Sequence, residues 1–274
     1  MQFREDVVGC FYVKYLRSVQ RTDRQGNKIT GYFMSNTVQT TKQEYRQFIY
    51  ENFNRRSLGQ PLFYSSKFGL RFDLQTGETS KSNRQIIDGE GNVIPQIGDT
   101  NKDEYFQEVI RRASTIFQTA FDYSDNVFLV LMDYKYKRRK IKFSNFLFKQ
   151  IDRIKKSEIS YLKVKRLYQP EDKYDVRNIA IIKLTAGRIN HKNIITAIAN
   201  SDFPPRQPRL DANGIFTNKE IYVVNINKKL IFHMYDDRGL DLVSADIETL
   251  RPIYVKHNEW ILDYDRAQID SQFE

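Results

Sequence analysis

The chain has 274 residues, of which 40% are hydrophobic and 14% aromatic, and this composition excludes an intrinsically disordered protein. Its single cysteine, Cys10, excludes an intrachain disulfide, and no apolar run reaches the roughly 18 residues that a membrane-spanning helix needs. The N-terminus also lacks the charged and apolar regions of a secretion signal. We therefore expect a globular, cytoplasmic protein that spans no membrane.

The net charge of +10 is distributed unevenly along the chain. Residues 135–166, which we call the basic segment, contain thirteen Lys or Arg against two acidic residues. Residues 231–274 contain ten acidic residues against four Lys or Arg. This separation suits association with a partner whose surface has complementary charge.

The first elements predict a small N-terminal unit. Extended runs at residues 7–19 and 29–34 flank a Gly-containing turn, which indicates a β-hairpin. A helix is expected over 41–55. We assign residues 1–66 to a hairpin–helix extension and residues 67–274 to the main domain.

The middle of the chain alternates strand and helix patterns. The clearest helix is 103–121, whose apolar residues recur every three or four positions, and the apolar run 127–134 predicts a central strand. The remaining expectations are a strand at 68–74, a surface excursion over 75–99 with a small hairpin turning at 88–91, and a helix over 145–156.

The C-terminal half predicts a strand at 178–184, a helix at 192–199, a hairpin of strands 220–226 and 230–235, a third strand at 240–243 and a helix over 247–260. Proline lacks the amide donor of a helix interior, so Pro252 is expected only in the first turn of that last helix. Together the elements predict an α+β fold with a largely antiparallel sheet flanked by helices.

The basic segment is the first candidate for function. Clustered Lys and Arg neutralise phosphates and release counterions, and neighbouring tyrosines can stack on bases. An acidic protein surface would suit the segment equally well, and a purely solvated loop is the structural alternative. The candidate partner-binding or nucleic-acid-binding residues are Lys135, Tyr136, Lys137, Arg138, Arg139, Lys140 and Lys142.

Two pairs of carboxylates form the second candidate. Asp236 and Asp237 follow a strand, and Asp263 and Asp265 are two residues apart. Such pairs can hold Mg²⁺ or divide into general acid and base. The structural alternative is a turn capped by Asp236 and a surface ion ladder of Asp263, Arg266 and Asp270.

No other pattern indicates chemistry. The three histidines, His191, His233 and His257, lack the spacing of a zinc site, and no phosphate-binding or serine-hydrolase motif occurs. His233 is expected to be a hydrogen-bonded histidine of the sheet, and Trp260 an anchor of the core. We expect no cofactor and no metal.

The C-terminal motifs resemble a bacterial family catalogued as domain of unknown function 3885. The resemblance extends over residues 67–273 and implies a bacterial intracellular protein, without implying catalytic residues. The motifs are residues 231–241 (IFHMYDDRGLD), 250–254 (LRPIY) and 260–266 (WILDYDR), with similarity also at 111–117 and 127–130.

Three functions are consistent with these features. The first is a non-enzymatic binding protein of the bacterial cytoplasm, for example an immunity or regulatory partner of another protein. The second is nucleic-acid binding through residues 134–166. The third is a Mg²⁺-dependent enzyme acting on a phosphate substrate through Asp236, Asp237, Asp263 and Asp265, which requires these four side chains to meet in one cleft.

Overall fold

The computed structural model describes most of the chain. The described residues are 12–22, 28–54, 58–59, 61–75, 86–87, 93–94, 103–135, 141–165, 176–211 and 219–274. Cys10 and residues 136–140 of the basic segment lie outside these ranges, as does the Asp88–Gly91 turn.

The fold is α+β and is built on a seven-stranded, fully antiparallel sheet, as the sequence predicts. The strand order is β3–β11–β10–β9–β6–β8–β7, so the apolar strand β6 lies inside the sheet, between β9 and β8. The strands of this sheet are β3 (Phe68–Asp73), β6 (Asn126–Lys135), β7 (Ile159–Lys165), β8 (Val176–Thr185), β9 (Lys219–Asn225), β10 (Leu230–Met234) and β11 (Gly239–Ser244).

Two further strand pairs form separate two-stranded sheets. The N-terminal hairpin is confirmed, because β1 (Tyr12–Thr22) pairs antiparallel with β2 (Lys28–Val38). The small hairpin is confirmed as well, with β4 (Ile86–Ile87) paired to β5 (Val93–Ile94).

Five helices occur in the described residues, and the first four along the chain overlap predicted helical segments. They are α1 (Thr41–Phe53), α2 (Asp103–Ala120), α3 (His191–Ala199), α4 (Ile247–Lys256) and α5 (Arg266–Asp270). None of these helices is long and apolar enough to span a membrane.

Helices α2, α3 and α4 cover one face of the sheet. The apolar stripe of α2 is buried there, including Val109, Ile116 and Phe117, against sheet residues such as Leu129 and Phe232. This face contains the larger hydrophobic core, to which Trp260 contributes as expected with 9% of its surface exposed.

Helix α1 covers the opposite face of the sheet. Tyr45 and Ile49 of α1 pack with Leu58 and Leu62 against a second apolar cluster on strands β6, β8, β9 and β10. Although α1 belongs to the predicted N-terminal extension, its apolar side is buried against the main sheet. The division of the chain at residue 66 stays a prediction.

The helix predicted over residues 145–156 is wrong. Only Leu147–Gln150 and Lys156–Glu158 form short 3-10 turns, and Ile151 pairs with Ile189 in an isolated β-bridge. The backbone of 150–152 is bonded to residues 188–190 rather than to itself, through Asp152 N–H to the Arg188 carbonyl and Asn190 N–H to the Gln150 carbonyl, each at 2.8 Å. Its amides and carbonyls are therefore satisfied by tertiary contacts that the local pattern does not reveal.

The expectation about Pro252 is also wrong, because this proline lies inside α4 and not in its first turn. Pro252 and Glu248, whose carbonyl would accept the missing hydrogen bond, are both exposed. Solvent can satisfy that carbonyl, which lowers the cost of the proline. The helix ends at Lys256, and a 3-10 turn, Asn258–Trp260, completes the predicted segment.

Candidate binding site

The described part of the basic segment is a non-helical stretch followed by β7. Of its cations, Lys142, Lys149, Arg153, Lys155, Lys156 and Lys163 have described side chains, and all six are exposed. Among the ion pairs of the described residues, only Arg153 of these six takes part, with Asp152 at 3.7 Å. The other five therefore present positive charge to solvent.

Most of the predicted contact residues cannot be placed. Tyr136, Lys137, Arg138, Arg139 and Lys140 lie outside the described residues, and Lys135 is described only as the last backbone position of β6. Lys142 is the one predicted residue with a described side chain, and it is exposed. It lines a cleft that the sequence analysis did not anticipate.

Two polar side chains of the sheet, Asp133 and Lys219, form the floor of this cleft, and Asn178 extends their row beyond it. Asp133 of β6 is paired in register with Lys219 of β9 on one side and with Asn178 of β8 on the other. Residues directly opposite in antiparallel strands point to the same face, which here is the face covered by α2, α3 and α4. All three side chains are buried, with 3%, 8% and 3% of their surface exposed. The apolar core thus ends in polar groups at this end of the sheet.

Two loops complete the walls of the cleft, which has a volume of about 530 Å³. One is residues 141–149, which supplies Lys142 and Lys149, and the other is residues 207–211. Asp211 forms an ion pair with Lys219. Buried Arg209 donates to the Ser201 carbonyl from Nε at 3.1 Å and Nη2 at 2.6 Å, which fixes the second loop. We call this site the polar cleft.

The first carboxylate pair has structural partners. Asp236 accepts a hydrogen bond from the Arg238 amide at 2.8 Å, which is the predicted turn, and also pairs with the Arg238 guanidinium. Asp237 is buried and accepts a 2.6 Å hydrogen bond from the Tyr105 hydroxyl. Burial, with the nearby Asp236 charge, raises the pKa of Asp237 to about 6.

This pKa gives a prediction for Asp237→Asn. A carboxyl whose pKa is raised in the fold stabilises the protein below pH about 4, and this stability is lost as the pH rises through about 6. Because asparagine stays neutral and keeps an acceptor for Tyr105, the variant should exceed wild type in stability at pH 7 by about 2 kcal/mol. Urea unfolding at pH 7 and pH 4 measures the difference, and a variant less stable than wild type at pH 7 would contradict it.

The second pair is divided between two environments. The side chain of Asp263 is 94% exposed and lies 3.2 Å from Arg266, as the predicted ion ladder requires. The ladder does not continue, because Asp270 instead accepts a hydrogen bond from Tyr254 at 2.9 Å. Asp265 is buried and accepts from the Tyr64 hydroxyl at 3.0 Å.

The four carboxylates therefore do not form the metal site of the third hypothesis. Within the described part of the chain, which includes all four, no three His, Cys, Asp or Glu side chains lie close enough together to hold a metal ion. The hypothesis of a Mg²⁺ site at these residues is not supported.

His233 differs from its predicted role as a hydrogen-bonded histidine. It is completely buried, and neither ring nitrogen has a hydrogen-bond partner among the described residues. Its ring stacks on Tyr222 with 4.1 Å between centroids. Burial, with a smaller effect of the Arg71 charge, lowers the pKa of His233 to about 3, so the ring is neutral at physiological pH.

A buried ionic network lies beside His233 and was missed by sequence reasoning. Arg71 of β3 binds Asp241 of β11 through Nε at 2.7 Å and Nη2 at 3.1 Å, and its Nη1 lies 3.6 Å from Asp265. The Asp241 carboxylate also accepts from the Phe63 amide at 3.2 Å. The network joins three segments that are distant in sequence, so its role is structural.

Comparison with known proteins relates the chain to one protein family. The chain is similar to "Uncharacterized protein YnaE" of Bacillus subtilis (strain 168), with 28% identity over 169 residues, which cover 58% of this chain and 76% of that protein. No solved structure matches the chain.

The sequence pattern of the family described as "Domain of unknown function (DUF3885)" matches residues 45–265. This range begins inside α1, earlier than the start near residue 67 that the C-terminal motifs suggest, and it includes the polar cleft, the Arg71 network and the described lysines of the basic segment. The chain therefore belongs to the DUF3885 family.

Proposed function

We propose that this protein is a non-enzymatic binding protein of the bacterial cytoplasm that attaches to an acidic surface of another protein through the basic segment. The observation that supports it is the set of five exposed lysines without an ion pair among the described residues. Such charges accelerate encounter with an oppositely charged surface and select against like-charged partners. An immunity or regulatory protein that blocks its partner is one form of this function.

The contacts of Phe143, an aromatic residue of the basic segment, favour an acidic protein over nucleic acid as the partner. Nonspecific binding of single-stranded nucleic acid uses aromatic faces on which bases stack. Phe143, which lies within the basic segment, is 36% exposed. Its ring packs on Phe148 at 6.1 Å and is approached by the Lys156 ammonium at 5.6 Å. The ring is therefore partly covered by contacts within the protein, whereas Lys142, Lys149 and Lys155 are exposed.

The test compares two double variants in affinity capture from native bacterial lysate. Lys155→Ala/Lys156→Ala removes two exposed cations of the basic segment, and the matched control Lys67→Ala/Lys256→Ala removes two exposed cations elsewhere. We expect wild type and control to retain the same stoichiometric protein partner, and the basic-segment variant to lose about tenfold or more in affinity for it. Retention should weaken with added salt.

Two outcomes would overturn this proposal. The first is capture of no stoichiometric protein by any of the three forms. The second is a gel shift with DNA or RNA whose midpoint falls steeply with salt and which Lys155→Ala/Lys156→Ala weakens for every sequence alike, because that behaviour defines binding to phosphates.

A further inference from the structure

We infer that the polar cleft is a binding site for a nucleoside phosphate, a function beyond attachment to the acidic protein partner, although Lys142 and Lys149 belong to both sites. Its volume of about 530 Å³ lies within the range of roughly 300–1,000 Å³ that small-molecule sites occupy. The charged and apolar residues of its lining and the strands that hold its floor support this inference.

The lysine-bearing wall fits the phosphate. Lys142 and Lys149 line the cleft, both are exposed, and neither has an ion pair among the described residues. A lysine ammonium is a point charge that binds phosphate from many directions, so two lysines on one short loop can share its oxygens. Their exposure means that they are reached first by an anion entering from solvent.

The remaining lining residues fit a nucleoside rather than more negative charge. Asp133 and Asp211 supply carboxylate oxygens that accept hydrogen bonds, and Ile141, Phe146 and Pro208 supply apolar and aromatic surface. A polyphosphate or an acidic peptide would bring its charge against these carboxylates. A ligand that joins an anionic group to a flat apolar body with amino or hydroxyl donors matches this lining.

The floor of the cleft is pre-organised, and the buried amide of Asn178, which neighbours the floor without lining the cleft, has unused hydrogen-bonding capacity. Asp133 and Lys219 are fixed on neighbouring strands of the sheet, so their positions do not depend on a loop. Asn178, one strand away in the same row, is 3% exposed, and neither atom of its amide group has a hydrogen-bond partner among the described residues. A buried amide without partners is uncommon, and groups that bind ligands or ordered water are among its explanations.

The experiment is isothermal titration of the full chain with AMP, GMP, CMP and UMP, with inorganic phosphate and the free nucleosides as separate arms. We expect at least one nucleoside monophosphate to bind saturably and more tightly than either of its parts, because the phosphate and the nucleoside each contact only part of the lining. Lys142→Ala/Lys149→Ala should weaken that binding by about tenfold or more. Asp133→Asn should weaken the nucleotide while leaving the response to inorganic phosphate unchanged.

The control is again Lys67→Ala/Lys256→Ala, which removes the same charge away from the cleft and should bind as wild type does. Absence of saturable binding by all four nucleotides at millimolar concentration would overturn the inference. Equal binding of inorganic phosphate and nucleotide, or equal weakening by the control variant, would also overturn it, because either result describes surface charge alone. Since Lys155 and Lys156 are unchanged in these variants, failure here leaves the capture experiment unaffected.

Discussion

Replacing Arg71 by alanine should lower the free energy of unfolding by about 3–5 kcal/mol, the cost of breaking a buried ion pair from one side. The reason is the burial of its two acidic neighbours, since Asp241 is 2% exposed and Asp265 is 4% exposed. Without the guanidinium, both carboxylates would remain in the protein interior without their cation. Urea unfolding at pH 7, followed by circular dichroism, measures the loss.

The matched control for this prediction is an exposed ion pair. Arg251 and Glu248 form an i,i+3 pair on α4 with side chains 44% and 62% exposed. Arg251→Ala should therefore cost much less stability than Arg71→Ala. Arg71→Lys should recover only part of the loss, because lysine cannot reproduce the two parallel bonds to Asp241. Equal destabilisation by Arg71→Ala and Arg251→Ala would show that the buried network does not hold these segments together.

His233→Phe should remove a large part of the acid sensitivity of the fold. Because the pKa of His233 is lowered to about 3, the unfolded chain binds a proton below pH 6.5 that the folded chain does not. The contribution of His233 to stability is fully present above pH 6.5 and is lost as the pH falls towards 3. The resulting loss in the free energy of unfolding is about 2 kcal/mol by pH 5 and about 5 kcal/mol in total. Phenylalanine has a similar shape, cannot be protonated and can still stack on Tyr222.

The measurement is urea unfolding of wild type and His233→Phe at pH 7 and pH 5. Other groups titrate in both proteins, so the difference between their pH dependences isolates His233. At pH 7 the variant should be equal to or more stable than wild type, since it removes two buried nitrogens without hydrogen-bond partners among the described residues. Equal loss of stability by the two proteins between pH 7 and pH 5 would refute the assignment of acid sensitivity to this residue.

The local elements could be predicted because their determinants are close together in sequence. The apolar stripe of α2 repeats at helical spacing, and the unbroken apolar run of β6 is typical of an interior strand. The segment 145–156 shows the limit of such patterns. Its apolar residues suggest a helix, yet the backbone of 150–152 bonds to residues 188–190 instead.

The candidate site was predicted only in part. The sequence identifies the basic segment by its charge density, and Lys142 is both in that segment and in the polar cleft. The sequence did not identify Asp133 and Lys219 as site residues, because single charged residues at the ends of apolar strands are common. Their pairing depends on the register of β6 with β9, and Asp263 and Asp265 likewise separate only once the chain is folded.

By itself the sequence determined the α+β class, the hairpins, most helices and the charge separation, since each follows from residues that are neighbours along the chain. Only the tertiary structure decided which polar groups are buried and which of them meet. Arg71 and Asp241 are 170 residues apart, and Asp133, Asn178 and Lys219 come from three strands. Strand order and register bring such groups together, and no periodicity within one segment encodes either.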